Sequence, residues 1–249
     1  MLMKNDFEIM YDDWMDKENW TMKKTFVAMD LAKLLSIKYP ANISKEIDDK
    51  YDQLYDKALV IHQKMLMAIY AAEKFLTTRR EFEGGQNMDI PTLYGYSNTK
   101  MLFYFEGLII NARSALDAAA TIYTDLIFDM RNDSFNKFSK MVLRDNSLYL
   151  DKLKKYFETE GERANSVYRL LCGNRDNMRA LRDIIIHQSN VKLQYCEYKD
   201  TSEKEHLFLV IKDYPAIDID FFMKTFLEEL EDLFLIANES CENSLNNRK

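Results

Sequence analysis

Glycine and proline are scarce in this chain, with 6 Gly and 3 Pro among 249 residues. That scarcity excludes collagen-like and low-complexity architectures, and with 47% hydrophobic residues it points to a folded, helix-rich protein. Cysteine is equally sparse: Cys172, Cys196 and Cys241 are far apart, odd in number and form no C-x-x-C pair. His62 and His206 have no neighbours at ligand spacing, so neither a disulfide framework nor a structural zinc site is expected. No cofactor is implied, and a reducing cytoplasm is the natural home. Long apolar runs are missing too. The most apolar stretch, residues 101–128, is interrupted by Glu106, Asn111, Arg113, Asp117 and Asp125, which a membrane span would not tolerate cheaply. Residues 1–20 are acidic and lack a basic start followed by an apolar run, so they do not read as a signal peptide. The expectation is a soluble, cytoplasmic chain with no membrane partner.

What is present is helical periodicity. Residues 22–37 read as a helix ended by Tyr39-Pro40, and Ser44 is placed to cap a long helix running toward Thr78. Its apolar set, including Ile47, Tyr51, Leu54, Ala58, Met65, Ile69 and Phe75, falls mostly at helical spacing. His62 within it reads as a core or boundary histidine. Residues 84–97, with Gly84, Gly85, Pro91 and Gly95, read as a loop and as the best internal boundary. No Gly-Lys-Ser/Thr follows the two glycines, so they are no phosphate loop. Tyr94 and Tyr96 read as residues of an ordinary surface loop.

The division expected is therefore an N-terminal helical extension over 1–85 and a helical domain over 86–249. A long helix is expected over residues 99–130. Ser134 then caps another, carrying Phe138, Val142, Leu150, Leu153 and Phe157 and broken near Asp145-Asn146. Gly161 is expected to break the chain before an arginine-rich segment ending at His187. After His187 the period changes. Val191, Leu193, Tyr195 and then Leu207, Leu209, Ile211 alternate as strands do, which predicts an antiparallel hairpin over roughly 191–212. A final helix from Asp218 or Asp220 to about Cys241 turns Phe222, Phe226, Leu230, Leu233, Phe234 and Ala237 inward. The fold class is all-α, about five long helices with one small hairpin.

Net charge is −7, which argues against a nucleic-acid binder, yet the charge is uneven. Residues 131–189 hold twelve Lys+Arg against eight Asp+Glu, a local +4 on an acidic body. Within that stretch stands Arg182-Asp183-Ile184-Ile185-Ile186-His187. Histidine moves a proton near neutral pH, and arginine neutralises charge that builds on a phosphate. On a helical wheel at about 100° per residue, Arg175, Asp176, Arg179, Arg182, Asp183 and His187 share an arc of roughly 140°. Met178, Leu181, Ile184 and Ile185 fill the opposite side, and Ile186 is the apolar exception inside the polar arc. Asp183 stands at helical i,i+4 spacing from both Arg179 and His187, so it orients the imidazole or pairs with Arg179.

The pattern Arg182, Asp183, His187 resembles the motif of the HEPN superfamily (higher eukaryotes and prokaryotes nucleotide-binding domain), in which Arg and a polar residue are followed by His. Residues 107–120, Gly-Leu-Ile-Ile-Asn-Ala-Arg-Ser-Ala-Leu-Asp-Ala-Ala-Ala, resemble the long helix that precedes this motif in several HEPN groups. The likeness covers roughly residues 100–240. It implies a homodimer whose two motifs face one cleft, metal-independent RNA cleavage, and a toxin–antitoxin or anti-phage setting with an antitoxin or defence partner protein. Many members of that superfamily lack catalysis.

On that reading His187 is the general acid/base, Arg182 holds the phosphate oxygens, Asp183 orients, and Arg175 and Arg179 track the RNA backbone. The bland reading has Arg182 paired with a carboxylate such as Asp117 and His187 hydrogen-bonded at a helix end. Arg113 and Asp117, at i,i+4, read as a structural ion pair. The alternative function is a non-catalytic helical protein binding a nucleotide, RNA or protein partner.

Overall fold

The computed structural model describes residues 20–41, 43–84, 90–163, 166–173, 180–188, 191–196, 206–211 and 216–247. They form eight α-helices: α1 (Trp20–Lys38), α2 (Lys45–Gly84), α3 (Ile90–Phe128), α4 (Phe135–Arg144), α5 (Asp151–Glu162), α6 (Val167–Cys172), α7 (Leu181–Gln188) and α8 (Ile219–Asn246). A 3-10 turn, Leu148–Leu150, separates α4 from α5. Strands β1 (Val191–Cys196) and β2 (His206–Ile211) pair antiparallel from Val191 opposite Ile211 to Cys196 opposite His206. The fold is all-α with this small hairpin, as the periodicity indicates. A two-residue strand, β3 (Ile217–Asp218), adds to the far side of β2. Among the described residues no helix is long and apolar enough to cross a membrane.

The chain divides into two compact units, one of residues 1–66, 114–154 and 234–249, the other of 67–113 and 155–233. In the first, the core is built from Leu31 and Leu35 of α1, Ile61 and Met65 of α2, Leu116 and Tyr123 of α3, and Phe135, Phe138 and Val142 of α4. Ser44 caps α2 through its hydroxyl, which accepts from the Ile47 amide at 3.3 Å. Asp117 performs the same service for α4, its Oδ1 accepting from the Phe135 amide at 2.9 Å.

Asp125 is the polar centre of this unit. It receives Lys38 Nζ at 3.0 Å, Lys50 Nζ at 2.8 Å and the Tyr39 hydroxyl. Burial alone would raise the Asp125 pKa, but the hydrogen bonds from Lys50, Tyr39 and Lys38 outweigh it and hold the carboxyl below its ordinary value. Asp129 closes α3 in the left-handed conformation, φ 55°, and takes the Lys38 ammonium at 2.6 Å. Cys241 is fully buried, and burial pushes its thiol up, away from thiolate chemistry.

The second unit is held by an aromatic row. Phe75 meets Phe105 at 6.5 Å between ring centroids, Phe105 meets Phe222 at 5.6 Å, and Phe222 meets Phe226 at 4.8 Å. Each fully buried ring contributes on the order of 1.5–3 kcal/mol by area alone. Helices α2 and α3 approach closely here, where a side chain at Gly107 would touch the Ala71 methyl at 3.5 Å. Leu209 of β2, with Ile217 of β3, turns inward from the sheet.

Three boundaries differ from the sequence expectation. The loop expected over 84–97 is helical from Ile90, because Pro91 falls in the first turn of α3, where its missing N–H costs no hydrogen bond. Gly161 lies in the last turn of α5, and the break expected there comes one residue later, after Glu162. The break expected near Asp145-Asn146 is present, but residues 167–172 form a separate short helix that the arginine-rich reading did not anticipate.

Candidate active site

Helix α6 fixes the approach to the motif, and both of its ends are capped. At its start the Ser166 hydroxyl accepts from the Arg169 amide at 3.1 Å, and Glu229 of α8 accepts from the Val167 amide at 2.9 Å. Arg163 ties the two acidic helices together, reaching Glu160 at 3.1 Å and also pairing with Glu229. Burial, then the charge of Glu229 against that of Arg163, leaves the Glu160 carboxyl raised. At the other end, Arg113 of α3 donates to the Leu171 carbonyl at 2.8 Å and lies 3.3 Å from Cys172 Sγ. Arg113 is 8% exposed and sets a cation at the end of α6, where the helix dipole favours one.

From Ala180 the chain enters α7, an eight-residue helix. The Ala180 carbonyl receives the amides of Asp183 at 2.9 Å and Ile184 at 3.2 Å, which opens the helix. Leu181, Ile184 and Ile185 are buried and hold it against the unit, in contact with α6. Arg182 and Asp183 face outward, with side chains 43% and 45% exposed, and Ile186 is exposed as the wheel places it. The Arg182 guanidinium donates to Asp183 Oδ1 at 3.0 Å. Its carboxylate partner is thus its chain neighbour. His187 belongs to the last turn of α7. Arg175, Asp176 and Arg179 lie outside the described residues, so of the polar residues on the wheel only Arg182, Asp183 and His187 belong to the described helix.

What the arrangement can do follows from these positions. Helical geometry separates Arg182 and His187 by roughly 140° around the axis and about 7.5 Å along it, and sets Asp183 one turn before His187. A half-exposed guanidinium held by one carboxylate can exchange that partner for a phosphate, which offers a bidentate anion. Among the described residues no group of three or more His, Cys, Asp or Glu is placed to hold a metal ion.

Sequence reasoning did not find the role of Arg113. The partners it meets at the end of α6 stand 58 and 59 residues away, beyond the reach of any local spacing. A cavity of about 460 Å³ in the first unit is lined by Met29, Ser36, Tyr55, Leu59 and His62 among others. It is apolar, and His62 stands at its boundary as expected. Compared with protein-family models, curated proteins and solved structures, the chain matches none. The likeness to the HEPN superfamily therefore rests on Arg182, Asp183, His187 and the helix over residues 107–120 alone.

Proposed function

We propose that this protein is a metal-independent endoribonuclease of the HEPN type, acting as a homodimer in a toxin or anti-phage setting. The observation that carries the reading is the outward, half-exposed placement of Arg182 and Asp183 on the same buried-backed helix that carries His187.

In the reaction, His187 takes the proton of a ribose 2′-hydroxyl, and the 2′-oxygen attacks the adjacent phosphorus. The bond from phosphorus to the 5′-oxygen breaks, and that oxygen leaves with a proton from an acid, the His187 of the second copy. The products are a 2′,3′-cyclic phosphate and a 5′-hydroxyl. Acid/base help of this kind is worth about 10²–10⁴-fold. Arg182 leaves Asp183 to bind the non-bridging oxygens, where a preorganised donor is worth roughly 2.7–4 kcal/mol in the transition state. Asp183 then orients the imidazole, and Arg175 and Arg179 hold the RNA backbone.

A second reading, a non-catalytic helical protein that grips RNA, a nucleotide or a protein partner, is favoured by the Arg182–Asp183 pair and by the net charge of −7. The experiment that separates the two uses purified protein, single-stranded RNA and EDTA. Cleavage that leaves cyclic-phosphate ends, and stops when the scissile ribose is replaced by 2′-deoxyribose, is expected. Binding without cleavage supports the second reading, and cleavage that ignores the 2′-hydroxyl contradicts the mechanism. Light scattering of a monomer at micromolar concentration contradicts the shared site.

A further inference from the structure

Helix α4 presents a row of cations on an acidic protein. Residues 131–144 hold four basic residues, Arg131, Lys137, Lys140 and Arg144, against one acidic residue, Asp133. All four cations are exposed. Lys137, Lys140 and Arg144 stand at i, i+3 and i+7, so they share an arc of about 60° and extend roughly 10 Å along the helix. The opposite face is committed to the core, with Phe135, Phe138 and Val142 all 0% exposed.

The row differs from four other cations of the same unit. Lys33, Lys38, Lys50 and Lys152 each sit on a carboxylate. Arg131, Lys137, Lys140 and Arg144 have no side-chain ion pair or hydrogen bond among the described residues. The acid that follows the row, Asp145, turns its Oδ1 to the Ser147 amide at 2.7 Å, and Lys154 adds a further cation at the Asp145 carbonyl, 3.2 Å away. Like charges so arrayed repel one another; the phosphates of a linear polyanion relieve that repulsion, and the counterions they release add an entropic gain.

We infer that the exposed face of α4 is a docking track for the phosphates of a single-stranded nucleic acid. The shape selects this partner over an anionic membrane. A narrow row matches a strand, whereas a bilayer engages a helix through an apolar face, and Phe135, Phe138 and Val142 of α4 are buried in the core. Met130 and Leu148, exposed at either end of the helix, are the features that a lipid surface would use instead. The inference does not depend on the chemistry of α7, because phosphate docking needs no 2′-hydroxyl.

The test uses the full chain and a fluorescein-labelled oligothymidylate, which cannot undergo 2′-hydroxyl cleavage. Binding is followed by fluorescence anisotropy between about 50 and about 200 mM salt. Each phosphate neutralised contributes roughly −0.7 to the slope of log affinity against log salt for single strands. The variant K137Q/K140Q/R144Q is expected to bind about tenfold or more weakly at low salt, with the slope reduced by about 2. The variant K137R/K140R, which keeps the charge, is expected to retain wild-type affinity and slope. If the triple variant fails to fold, K140E alone carries the comparison, with weaker binding still expected. No binding by the wild-type chain, or equal affinity and slope in the triple variant, overturns the inference. Binding to phosphatidylserine vesicles that is lost on L148S, with no oligothymidylate binding, overturns it in favour of a membrane surface.

Discussion

Replacing Asp125 tests the physical account of the first unit most sharply. Its side chain is 8% exposed and faces Lys38, itself 12% exposed, so neither charge is well hydrated once the other is gone. Removing one partner of a buried pair costs about 3–5 kcal/mol. Here Lys38 keeps Asp129 at 2.6 Å, and Lys50 is 46% exposed and returns to water, so Asp125→Ala falls near the lower end, about 3 kcal/mol. The sign of the pH dependence follows from the lowered carboxyl. A group whose folded pKa lies below its unfolded value, about 3.9 for Asp, stabilises fully above that value and loses the contribution as pH falls through the folded one. The difference between wild type and variant should thus be complete at pH 7 and shrink below about pH 4. Urea denaturation followed by circular dichroism measures both. A gap under about 1 kcal/mol at pH 7, the range of a surface pair, or one that does not narrow in acid, would show that Asp125 is no buried partner of Lys38.

Arg182→Ala should change stability by no more than about 1 kcal/mol, because the Arg182–Asp183 pair is nearly half exposed on both sides, while any RNA cleavage falls by about 10²–10³-fold; melting and cleavage assays on one preparation check both. Arg113→Met should cost about 1–3 kcal/mol in denaturation, since it strips the Leu171 carbonyl of a buried donor. Gly107→Ala should be neutral or stabilising by up to about 1 kcal/mol, because the added methyl makes an ordinary 3.5 Å contact with Ala71 and raises helix propensity. A loss of stability there would show that the α2–α3 approach is tighter than the contact indicates.

Much of the fold was legible because its helices are long. Over the 40 residues of α2 and the 28 of α8, apolar spacing repeats often enough to set both existence and inward face, and Ser44 marks a start by its own chemistry. The hairpin was legible from the change of period after His187. Helices of 6 and 8 residues, α6 and α7, complete too few turns to show a period, so the sequence merged them into one arginine-rich segment. Long-range polar pairs were illegible for a different reason. Lys38 and Asp125 are 87 residues apart, and nothing local distinguishes a buried lysine from a solvated one. At the candidate site the outward placement of Arg182 and Asp183 could be read from spacing. The Arg182–Asp183 pair could not, since adjacent helical residues point about 100° apart and meet only because the arginine is long enough to fold back.

Whether α7 cuts RNA is decided by the cleavage rate of wild-type protein beside His187→Ala, each purified identically and assayed in EDTA. Cleavage by the wild type is expected, with a fall of at least about 10²-fold in the variant and the thermal melt unchanged. Equal rates, or RNA that the wild type binds and never cuts, would contradict it.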